Sequence, residues 1–179
     1  MQYFLSSVEG RAFRIAQIAT GNRDDALDIV QEAMMKMVQN YSAHAKEEWK
    51  ALFYSILQTR ILDWHRRQKV RNRFRSWFSW NSSDDAEDDE EDFIAQQPAN
   101  QTSAPDVQLQ DAQFMDDLNT ALTALPLRQQ QVFLMRMWEG MDIAETATIM
   151  QCSESSVKTH YARALEKLRI QLAQHHEVN

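Results

Sequence analysis

Apolar side chains recur at intervals of three and four residues along nearly all of the chain outside its middle, which is the period of an α-helix with one buried face. Only three glycines and three prolines interrupt 179 residues, so helices meet few breakers and an all-α fold is expected. The first stripe is Leu5, Val8, Ala12, Ile15 and Ala19; Gly21 ends that helix and Asn22 is placed to cap the next. The second stripe is Ala26, Ile29, Val30, Ala33, Met37 and Tyr41, behind Asp24 and Asp25, whose charge suits the positive end of a helix dipole. A third helix, from about Glu47 into a basic stretch, turns Trp49, Leu52, Phe53, Ile56, Leu57 and Ile61 inward.

From about Ser76 to Val107 the periodicity vanishes and Ser, Asp, Glu, Gln and Asn accumulate, a composition that buries too little apolar area to offset chain entropy. The pattern resumes near Leu109 through Phe114, Leu118, Ala121 and Leu125, and Pro126 opens a further helix where a missing N–H is tolerated. The expected architecture is therefore two small helical domains, 1–75 and 109–179, joined by a flexible, disordered acidic linker, 76–108. The net charge of -7 conceals a basic patch. Residues 84–92 carry eight acids and no base, whereas 60–75 carry seven bases against Asp63 alone. Such a patch attracts phosphate by releasing condensed counterions.

The most informative stretch is "ALPLRQQQVFLMRMWEGMDIAETATIMQCSESSVKTHYARALEKLRIQL", residues 124–172. A helix from about Leu127 to Trp138 stops at Gly140. A short helix, about Asp142 to Met150, is followed by Gln151, Cys152 and Ser153 and then by a long helix. That order, with polar residues in the first turns of the last helix, is the pattern of a helix-turn-helix. Ala144, Ala147 and Ile149 are expected to let its two helices approach, and Val157, Leu165 and Leu168 to pack the second onto the core. Ser153 caps the second helix, leaving Glu154, Ser155, Ser156, Lys158, Thr159, His160 and Arg163 to reach base edges and phosphates in a major groove. The bland alternative is a helical hairpin with a polar outer face.

Other classes are disfavoured. Five histidines and the single Cys152 show no metal-ligand spacing, no phosphate-cradling glycine loop occurs, and the clustered acids lie in the linker, so neither an enzyme nor a bound metal or cofactor is expected. With no apolar run near the roughly 20 residues that cross a bilayer, and no charged and apolar leader, a cytoplasmic chain without membrane insertion is expected.

The two helical halves resemble the extracytoplasmic-function (ECF) group of bacterial RNA polymerase sigma factors, which keep regions 2 and 4. In the front half, "GNRDDALDIVQEAMMKMVQNY" is similar to the family's Asp-Ala-x-Asp-x-Val-Gln-Glu signature, and "FYSILQTRILDWHRRQKVR" to the helix that follows it. In the back half, the Leu-Pro start, the Gly before the helix-turn-helix and the Val-Lys of the recognition helix are similar to region 4. The resemblance implies a factor that binds the polymerase core enzyme, opens a -10 promoter element with the front domain and reads a -35 element with the back one. It places Asp25, Asp28, Gln31 and Glu32 on the clamp helices of the polymerase. Arg60, Trp64, His65, Arg66, Arg67, Lys69 and Arg71 fall at the -10 element, with Trp64 as an exposed aromatic, and Glu154, Ser155, Ser156, Lys158, Thr159, His160 and Arg163 at the -35 element. An anti-sigma factor is an expected further partner.

Two departures stand out. Thr59 occupies a position where the family commonly has Asn, and Gln151 stands in place of the usual turn glycine, at a cost for a left-handed backbone. The acidic tract is open to three roles: a mimic of RNA in a basic channel, a mask over residues 66–75, or a solvated spacer. The competing functional reading is a free-standing helix-turn-helix regulator whose front half is a sensor or dimer module.

Overall fold

The computed structural model describes residues 1–79 and 106–177. All of the regular structure in those residues is helical. The expected disorder of the linker falls on 80–105, outside the described residues, while helix extends to Ser79 on one side and from Asp106 on the other.

Helix α1, Gln2–Thr20, closes where Gly21 takes a left-handed conformation (φ 65°) and its N–H bonds the Gln17 carbonyl. The Asn22 side chain then accepts from the N–H groups of Asp24 (2.8 Å) and Asp25 (3.1 Å), starting α2, Arg23–Tyr41. A single 3-10 turn, Lys46–Glu48, leads into α3, Trp49–Ser79, whose first residue ties the connection by donating its indole N–H to the His44 carbonyl at 2.9 Å. The Phe4 ring of α1 meets Trp49 and Phe53 of α3 at 5.8 and 6.1 Å between centroids. The three stripes read from the sequence close on one another as a bundle, with Phe53, Tyr54, Leu57 and Ile61 fully buried.

In the second half, α4 spans Asp106–Thr123, α5 Leu127–Met137, α6 Ile143–Met150 and α7 Glu154–Glu177. Asp142 and Glu145 form a capping box at the start of α6, each side chain accepting the other's backbone N–H at 2.8 Å. A small cluster, Val132, Ala147, Met150 and Val157, sits at the heart of the three-helix unit α5–α6–α7. Two expectations for this half change. Ala144 faces outward, and the closely packed position is Thr146, which is fully buried and returns its hydroxyl to the Asp142 carbonyl. Phe114, one turn before Leu118, is exposed.

The halves do not stand apart. One continuous core runs from Val8, Ile15 and Phe53 to Leu122, Leu134, Met135, Ile149 and Leu168. α3 lies against α6, and α1 against α5 and α4.

Candidate nucleic-acid interface

α6 ends in a tight turn that sets the direction of α7. Gln151 is left-handed (φ 51°, ψ 49°), the one described non-glycine residue with positive φ. Its N–H bonds Thr148 O, and the Cys152 N–H bonds Ala147 O at 3.0 Å, the pair of hydrogen bonds that defines a Schellman stop. The backbone thus adopts the geometry that a glycine reaches without strain. Ser153 then caps α7, its hydroxyl accepting from the Ser156 N–H at 3.1 Å. Two arginines brace the arrangement from α5: Arg128 donates to the Met150 carbonyl at 3.0 Å, and Arg136 donates to the Met141 carbonyl with its guanidinium 5.7 Å from the Tyr161 ring centroid. These two charges hold the motif together.

On α7, Glu154, Ser155, Lys158, Thr159 and Arg163 are exposed, while Ser156 and His160 are half-buried. They share the outer side of the first turns because Val157 and Ala164 are buried on the inner side. Burial, and then the Arg128 and Arg163 charges, lower the His160 pKa below its ordinary value of 6.5, which favours the neutral ring.

In the front half the candidates divide. Arg66, Arg67, Lys69 and Arg71 project into solvent along α3. Trp64 does not: it is half-buried and packed against the core, because it follows Leu57 and Ile61 on the inward stripe. His65 is also drawn in, its Nε2 lying 2.9 Å from the Ala19 carbonyl at the end of α1. That oxygen can only accept, so Nε2 carries the hydrogen. Arg60 pairs with Glu32 at 3.5 Å, and the two share the wall of an open groove of about 330 Å3 with Met35, Lys36, Gln39 and Asn40. One residue assigned to DNA and one assigned to the polymerase clamp are therefore in contact. On α2, Asp28, Gln31 and Glu32 are exposed and Asp25 is half-buried.

Sequence reasoning missed a third set of polar residues, those between the halves. Gln58 of α3 donates to Gln131 Oε1 at 2.6 Å; Gln131 donates to Gln130 Oε1 at 2.9 Å; Gln130 donates to the carbonyls of Leu122 (3.0 Å) and Ile18 (3.3 Å). Also between the halves, the Glu139 side chain is wholly buried, facing Arg11 at 3.5 Å and Lys50 at 3.8 Å. One signal was available for Gln58, a polar residue inside the otherwise apolar stripe Tyr54, Leu57, Ile61. Nothing comparable marks Glu139. Among the described residues no group of three or more His, Cys, Asp or Glu could hold a metal, and no helix is long and apolar enough to cross a membrane.

Comparison with known proteins matches the two halves separately. Residues 2–71 fit the Sigma-70 region 2 family and residues 115–168 the Sigma-70 region 4 family. RNA polymerase sigma factor SigV of Bacillus subtilis is 30% identical over 161 residues, covering 89% of this chain and 83% of the relative. ECF RNA polymerase sigma factor SigX of the same organism is 26% identical over 150 residues, 83% of this chain and 71% of that one. The chain belongs to the extracytoplasmic-function RNA polymerase sigma factors. This sigma factor therefore serves transcription initiation by RNA polymerase, and its helix-turn-helix and basic helix are parts of one promoter-binding factor. Its fold is shared with the sigma factor RpoE of Bartonella quintana, solved in complex with the anti-sigma factor NepR, at a TM-score of 0.57 and 21% identity over 97% of this chain and 98% of that one.

Proposed function

We propose that the two halves divide promoter opening between them. The outward face of α2 (Asp25, Asp28, Gln31 and Glu32) docks on a basic surface of the polymerase core, the exposed bases of α3 (Arg66, Arg67, Lys69 and Arg71) draw in the -10 strand, and the first turns of α7 read the -35 element. Arg60, paired with Glu32, links docking to strand capture, while Trp64 and His65 stiffen α3 beneath the strand. The observation that carries this reading is the helix-turn-helix, a capped α7 whose exposed polar turns are held at a fixed angle by the Gln151 stop and by Arg128. The factor does no covalent chemistry, acts in the cytoplasm and is a target for an anti-sigma factor.

Alanine at Lys158 and at Arg163 tests the -35 assignment. A side chain making a bidentate base contact should cost about 1–3 kcal/mol and relax preference at one base pair, whereas one touching only phosphate should lower the salt slope by about one. Unchanged binding by the double variant would remove α7 from the interface.

A further inference from the structure

Three basic side chains meet where α5 packs against the helix-turn-helix. Arg128 comes from the first turn of α5 and donates to the Met150 carbonyl at the end of α6, a bond that uses only part of a guanidinium with several N–H donors. His160 and Arg163 follow on α7, three positions apart and therefore on one side of that helix. Both guanidiniums lie close enough to His160 to add to the effect of burial in lowering its pKa, and the ring's Nδ1 is buried without a hydrogen-bond partner among the described residues. No carboxylate of the described residues forms an ion pair with Arg128 or Arg163. On the other helices packed against α7, Asp116 and Asp117 of α4 do not offset the two arginines at His160, Glu145 of α6 is engaged with Asp142, and Arg136 of α5 is turned to Met141 and Tyr161. On α7 itself, Glu154 and Lys158 are exposed to solvent. Cations gathered without an acid among them attract an anion.

We infer that Arg128, His160 and Arg163 together seat one backbone phosphate beside the -35 element, and that His160 takes up a proton as the phosphate arrives, so that promoter affinity rises on acidification. The inference rests on the reading of α7 given above and adds α5 to the surface that touches DNA. A helix in a major groove is flanked by phosphates, and contacts to them fix its register. The sign follows from the surroundings of the ring. In the free chain two positive charges oppose protonation, whereas a phosphate oxygen neutralises that field and accepts a hydrogen bond from the charged imidazole. The coupling is reciprocal: a phosphate that favours the proton is favoured by it to the same extent. Uptake therefore occurs between the lowered pKa of the free factor and the higher one of the complex. Above both values the ring is neutral in either state, and the dependence vanishes.

The test uses holoenzyme assembled with the full chain and a promoter duplex selected from a random library by the parent holoenzyme. Affinity is measured between about pH 5.5 and 8, each variant against the parent at the same pH so that titration of the core enzyme cancels. The parent should gain at least about fivefold over His160→Gln from the alkaline end to the acid end. His160→Lys, charged throughout, should hold a constant ratio to His160→Gln. Arg128→Gln should bind more weakly than the parent and show a shallower pH dependence, a change that mere bracing of the turn would not produce. In the free chain, the imidazole resonances lost in His160→Gln should titrate below 6.5; titration at or above that value would overturn the cluster. A parent that tracks His160→Gln at every pH would overturn the proton uptake, and an Arg128→Gln holoenzyme with parental affinity and slope would remove α5 from the phosphate site. If either result comes with weakened binding by the Lys158→Ala, Arg163→Ala double variant, the reading of α7 stands and this inference alone fails. A double variant that binds like the parent overturns the reading of α7 itself.

Discussion

The outward face of α2 and the face of α5 that meets α3 are made of the same chemistry, carboxylates and carboxamides, yet the fold treats them oppositely. On α2, Asp28, Gln31 and Glu32 stand in solvent. On and just beyond α5, Gln129, Gln130, Gln131 and Glu139 are buried, and Gln130, Gln131 and Glu139 bond or pair with the other half of the same chain. Polarity by itself thus says nothing about whether a side chain serves water, another protein or its own tertiary structure. What separates the two sets is the geometry of their partners: the α5 groups find donors and cations at 2.6–3.8 Å, whereas among the described residues only Glu32 of the α2 groups has an ion pair, with Arg60. An exposed, weakly committed polar face is available to a partner at little desolvation cost.

The largest expected effect breaks the comparison on the α2 side. Asp28→Lys combined with Gln31→Lys should weaken core binding about a hundredfold or more by putting like charge against a basic surface, while urea melts shift by no more than about 0.5 kcal/mol because both positions are exposed. A large loss of stability would mean that α2 is structural. The α5 side should answer the other way. Gln58→Ala strands the Gln131 carbonyl oxygen and should cost about 1–3 kcal/mol in the same melts, with core affinity not weakened.

Two smaller effects sharpen the picture of the helix-turn-helix. Gln151→Gly should stabilise the chain by about 1 kcal/mol by removing a side chain from a left-handed position, without altering which promoters are read. His160 should make stability depend weakly on pH. Its folded-state pKa lies below 6.5, so as pH falls through that value the unfolded chain takes up a proton that the folded one resists, and stability declines toward the lowered pKa. Denaturation series between about pH 5 and 7 should show that slope in the parent and a flatter one in His160→Gln.

Much of the fold was legible in the sequence because helical periodicity, Asn22, Gly21 and Ser153 are local signals whose effect does not depend on distant residues. The left-handed turn at Gln151 was legible through the resemblance alone, which sets a glycine at that position. Trp64 was expected to stand exposed and is half-buried instead, as its spacing from Leu57 and Ile61 on the inward stripe could have indicated. The interface between the halves was not legible. Gln131 lies 73 positions from Gln58, and Glu139 lies 89 from Lys50; no local pattern encodes a contact at that separation. The acidic tract, Asp84 to Asp92, lies outside the described residues, and its three candidate roles stand as the sequence left them.

Hydrogen exchange on the full chain, alone and bound to core polymerase, tests the contrast between α2 and α5 most directly. The account predicts slower exchange in α2 on binding, with the buried α5 boundary exchanging no more slowly than in the free chain. An α2 indifferent to polymerase, or a boundary between the halves that exchanges more slowly in the complex, would contradict it.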